Sequence, residues 1–109
     1  MKVLDQEAAL TRVGGDVELL REIGDLFQLE CPRELAKLRE AIESGDGAAV
    51  GRVAHGLKGS AANFGAGPAV EAALKIEQLA RVGQVEEARG VCETLEKALD
   101  VLLRELKEI

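Results

Sequence analysis

The chain has 109 residues, 47% of them apolar and 31% charged, which suits one domain with one continuous core and is too little for two. Fourteen basic against twenty acidic side chains give a net charge of −6. That balance argues against a nucleic-acid backbone or an anionic membrane as partner and favours a basic or neutral protein surface. No apolar run approaches the roughly 18 residues of a membrane span and no signal segment opens the sequence, so a cytoplasmic location is expected.

Two prolines, no tryptophan, no tyrosine and hardly any alternating β-branched run leave no strand, whereas 3.6-residue periodicity recurs throughout. The expected class is all-α. A short first helix is predicted over residues 5–12, with Leu4, Ala8 and Leu10 available for packing, and "GGD" at 14–16 ends it. Asp16 then reads as an N-cap. From Val17 the apolar positions Leu20, Ile23, Phe27, Cys31, Leu35, Leu38 and Ile42 step by threes and fours, and the stripe crosses Pro32 without losing phase. One long kinked helix is expected, with a break near Glu30 as the alternative.

"SGDG" at 44–47 closes that element, and a third helix is predicted over 48–64. "GAGP" follows, with Pro68 suited to the first turn of a fourth helix that runs to about residue 82. "GQ" at 83–84 makes the next turn. A fifth helix, 85–108, carries Ala88, Val91, Cys92, Leu95, Leu99, Leu102 and Leu106 on one stripe. Connections this short favour antiparallel neighbours. The predicted architecture is an antiparallel up-down-up-down four-helix bundle with a short N-terminal helix, one module over 1–109. Cys31 and Cys92 sit in helical patterns and form no C-x-x-C, so they read as reduced core residues; with one histidine they supply no metal-ligand set.

The only histidine lies in "AHGLKGSAANFGA", residues 54–66. At 100° per residue, Val50, Val53, Ala54, Leu57, Ala61 and Phe64 share one narrow sector, the core face of the third helix. His55 falls about 150° from the centre of that sector, grouped with Gly51, Gly59 and Ala62 and flanked by Lys58. The ring is therefore predicted to face water, with glycines four residues before and after it that leave it bare. Each glycine inside a helix costs roughly 0.8–1 kcal/mol relative to alanine, so accepting two beside one residue points to access by a partner. A lone surface histidine is usually only a solvated side chain, and an exposed lysine a solubility charge; the constellation is what carries information. Neutral imidazole is a competent nucleophile, and the mobile ammonium of Lys58 at i+3 can balance an arriving phosphoryl group.

These residues resemble, nearly position for position, the signature H-x-L-K-G-x-x-x-x-x-G-A of histidine-containing phosphotransfer domains: His55, Leu57, Lys58, Gly59, Gly65 and Ala66 match. "LLREIGDLFQLECPRELAKLREAIESGD" looks like the family's first long helix and "LKIEQLAR" like its later one, so the resemblance spans essentially the whole chain. It implies a carrier that takes a phosphoryl group from a receiver-domain aspartate onto His55 and passes it to another receiver aspartate. Lys58 would attend the phosphoryl group, Gly59 would keep the docking surface open, and Glu77, twenty-two positions after the histidine, would hydrogen-bond and orient the imidazole. The implied partners are response-regulator receiver domains, with a hybrid histidine kinase as a further candidate, and the implied state is a monomer.

No nucleotide-binding loop and no acidic cluster for magnesium is present, so the chain is not expected to be a kinase or to hold a cofactor of its own. Mg2+ is expected from the receiver. Two other readings remain at this point: the phospho-accepting domain of a chemotaxis-type histidine kinase, and a non-catalytic helical adaptor for which the amphipathic stripes alone suffice.

Overall fold

A computed structural model describes residues 1–109 as five helices: α1 Gln6–Arg12, α2 Val17–Glu43, α3 Gly47–Ala62, α4 Gly67–Arg81 and α5 Val85–Leu106. Their boundaries follow from side chains that compete for backbone donors. Asp5, Asp16 and Asp46 each accept an N–H bond three residues on, from Ala8 at 3.0 Å, Leu19 at 3.1 Å and Ala49 at 3.1 Å, and so start α1, α2 and α3. The Asp46 cap sets the start of α3 at Gly47, one residue before the sequence expectation. Its end is also earlier, at Ala62, because Asn63 caps it and Phe64 lies in the turn with its ring buried. α4 and α5 stop at Arg81 and Leu106, each short of the expected end.

α2 to α5 pack as a four-helix bundle in which each helix lies against the next and α5 closes on α2. One cluster of 29 buried apolar residues forms the core. Its largest fully buried side chains, among them Leu20, Leu38, Leu57, Ile76, Leu95, Leu99 and Leu102, come from all four long helices. Each such burial contributes about 1.5–3 kcal/mol. Ile23, Val53 and Val91, expected on the core stripes, are only half-buried at its edges. In α1 the buried residue is Ala9, while Ala8 and Leu10 remain half-buried.

α2 is continuous through Pro32. The proline removes one N–H donor, yet Phe27, Cys31, Leu35 and Leu38 on both sides of it are buried in the same core. Packing of an in-phase stripe outweighs one missing backbone bond, so the helix does not break near Glu30. Cys31 and Cys92 are both buried and unpaired, and burial pushes each thiol up to about 11.

The chain before α1 ties the end of the bundle together. The N–H groups of Val3 and Leu4 both donate to the Glu105 carboxylate at 2.9 Å, and Asp5 N–H donates to the Phe64 carbonyl at 3.0 Å. Gly65 sits beneath this strap with φ of +57°, where a Cβ would lie 2.7 Å from Asp5 Cβ and 3.1 Å from Ala8 Cβ. Only glycine satisfies both the left-handed backbone and that approach.

Candidate functional site

His55 stands on the outer face of α3, its side chain 68% exposed, because Val50, Ala54, Leu57 and Ala61 turn the opposite face into the core. A Cβ added at Gly59 would meet nothing within 4 Å, so the surface one turn after the ring is open. Gly51, one turn before it, is only half-exposed: a Cβ there would touch Ala80 Cβ of α4 at 3.9 Å. It borders the α3–α4 seam, so the space on that side of the ring is a depression walled by α4 where the Gly59 side is open surface. Ala62 is half-exposed at the end of α3.

α4 brings Glu77 against the ring. Its Oε2 lies 2.9 Å from His55 Nδ1 and its Oε1 accepts from Lys58 Nζ at 2.7 Å, so one carboxylate joins both side chains of the third helix. Arg81 approaches the same Oε2 at 3.7 Å from one turn further along α4. The Glu77 side chain is 12% exposed, a partly desolvated setting in which charged hydrogen bonds gain strength. The Lys58 hydrogen bond holds the Glu77 carboxyl below its ordinary range; burial opposes that, and the His55 hydrogen bond adds to it. Lys58 is thus tethered, where the sequence predicts a mobile charge. Helical spacing within α3 puts Lys58 beside the ring, whereas the tether depends on the register of α4 against α3.

The geometry leaves Nε2 as the ring nitrogen without a protein partner. With Nδ1 held as the N–H tautomer by a carboxylate, Nε2 carries the lone pair. Arg52 and Arg81, neither singled out by the periodicity argument, line a depression beside His55 together with Glu77, Gly51 and Ala80. The available signal is spacing: Arg52 precedes His55 by three residues and Arg81 follows Glu77 by four. No group of three or more His, Cys, Asp or Glu side chains converges as a metal-ligand set. No helix is long and apolar enough to cross a membrane.

The chain is similar to the solved structure of histidine-containing phosphotransfer protein B from Pseudomonas aeruginosa PAO1. The two share 25% identity with a TM-score of 0.88, over 96% of this chain and 91% of that one. No curated protein matches. The Hpt domain family matches residues 22–105, which takes in α3, α4 and nearly all of α2 and α5. An exposed histidine on a four-helix bundle, a match over well over half of the sequence and a shared fold agree: the chain belongs to the Hpt domain family, whose members are histidine phosphotransfer intermediates of two-component phosphorelays.

Proposed function

We propose that this chain carries the phosphoryl group on Nε2 of His55, taking it from a receiver-domain aspartate and returning it to another. The chain contains one histidine, so the family's phosphorylated residue has one position to occupy. The observation that carries the reading is the Glu77 contact: Nδ1 is engaged at 2.9 Å, which leaves Nε2 as the free nitrogen of a side chain 68% exposed.

In the transfer, the Nε2 lone pair attacks phosphorus, the N–P bond forms, and the P–O bond to the donor aspartate breaks with its electron pair leaving on the carboxylate. The ring then bears positive charge, which the Glu77 carboxylate at Nδ1 offsets. Lys58, held at 2.7 Å on the same carboxylate, supplies a cation next to the phosphoryl oxygens without a side-chain search. The reverse transfer retraces these steps. The receiver supplies the aspartate and the divalent ion; this chain contributes one aligned nitrogen and acts as a carrier without kinase activity. Gly59 and Ala62 form the open part of the docking face, and Gly51 its border on α4.

The test is incubation of the chain and of His55→Gln with phosphorylated receiver domains, followed by acid and alkali treatment. Acid-labile label on the wild type alone supports the assignment. Label retained on His55→Gln, with circular dichroism unchanged, would refute it.

A further inference from the structure

We infer that the depression between α3 and α4 beside His55 is a carboxylate subsite, in which Arg52 and Arg81 grip an acidic side chain of the incoming receiver domain and thereby select among receivers. This rests on the reading that His55 exchanges phosphoryl groups with receivers. Three cations, Arg52, Lys58 and Arg81, surround the ring against one carboxylate, Glu77, in a chain whose net charge is −6. The face that meets the partner is locally the opposite sign to the molecule.

The charges of that cluster are unequally committed. Glu77 is already shared by Lys58 at 2.7 Å and His55 at 2.9 Å. Arg81 reaches it only at 3.7 Å with a side chain 73% exposed, a contact of little energy. Arg52 is exposed and makes no ion pair or side-chain hydrogen bond. Two guanidiniums thus flank one depression with donors to spare, and a guanidinium fork matches a carboxylate in bidentate geometry. Gly51 and Ala80, which line the same depression, are too small to fill it, so an entering residue has room.

Screening decides what the partner senses. At physiological salt the Debye length is about 8 Å, so distant acidic groups act weakly on a docked carboxylate while Arg52 and Arg81 act fully. The chain's overall negative charge discourages an acidic partner from settling elsewhere, and the cationic depression rewards the orientation that brings its phosphoaspartate to His55. Net charge alone favours a basic or neutral partner surface, and the subsite would favour an acidic group within one screening length of the ring.

The test uses the full chain and the phosphorylated receiver domain with which the wild type exchanges fastest, measuring transfer against receiver concentration at low and high NaCl. Arg52→Glu is expected to raise KM about tenfold with kcat within about twofold, because a rim charge governs encounter more than chemistry. The wild-type KM should rise with salt, the KM of Arg52→Gln/Arg81→Gln should be nearly flat, and Arg52→Lys should recover part of the loss. An unchanged KM in Arg52→Glu would overturn the subsite. A fall in kcat with KM intact would place the guanidiniums on the phosphoryl group instead and overturn it equally. If the wild type labels with no receiver, it is the carrier reading that fails, before any variant is compared.

Discussion

Gly59→Leu separates access from stability. The glycine lies inside α3, four residues after His55, and an added Cβ there meets no atom within 4 Å. Leucine at an unobstructed interior position gains helix propensity of about 0.8 kcal/mol over glycine. For a domain of this size that corresponds to a rise of roughly 3–6 °C in Tm. The same side chain lies one turn from the imidazole and leans back over it, since helical side chains tilt toward the N-terminus. Displacing the donor aspartate by about 1 Å costs on the order of 100-fold in rate, so transfer should fall by at least that factor. Thermal unfolding and rapid-quench transfer from a phosphorylated receiver, on one sample, give both numbers. A Tm lowered by several degrees would show that position 59 is packed; a transfer rate within about threefold of wild type would show that open space beside the ring is not what the glycine provides.

Gly65→Ala should do the opposite, destabilising the fold by about 2–4 kcal/mol through left-handed backbone strain and the approach to Asp5 and Ala8, as read by urea unfolding; a loss under about 0.5 kcal/mol rejects the account. Glu77→Ala should release Nδ1, so the imidazole nitrogen shifts in NMR should move toward a mixture of tautomers, and spectra identical to wild type would exclude the contact in solution. The Glu77 carboxyl titrates below its ordinary value of 4.5, so its stabilisation is full above that pH and lost as pH falls through the lower folded value. The Tm difference between wild type and Glu77→Gln should therefore be constant near neutrality and shrink below about pH 4.5; a difference unchanged down to pH 3 counts against the ionised contact.

Local chemistry made most of the fold readable. Asp16 caps where it stands in sequence, Asp5 caps α1 where periodicity counts it as the first helical residue, and the in-phase stripe on both sides of Pro32 carries α2 through the proline. The cap at Asp46 is equally local and starts α3 one residue before the apolar periodicity does. Exposure of His55 follows from phase alone. The tether of Lys58, the α4 neighbour of Gly51 and the strap over Gly65 do not, because each depends on how one segment is aligned against another distant in sequence. Gly59 and Gly65 stand in one motif and look alike on paper, yet one borders solvent and the other the side chains of Asp5 and Ala8.

α3 and α4 lie against each other along the bundle, and among their buried residues are the smallest side chains of the core: Ala54 and Ala61 on one helix, Ala69, Ala73 and Ala80 on the other. Interaxial separation tracks the volume of the residues between two helices, within a range of about 8–10 Å. Small buried side chains therefore permit a close approach of the two helices, and across that approach Glu77 reaches His55 at 2.9 Å. Any larger residue along that seam would act as a shim, parting carboxylate from imidazole while every functional side chain stayed in place. The reactivity of this histidine is to that extent machined into the thinness of the joint behind it.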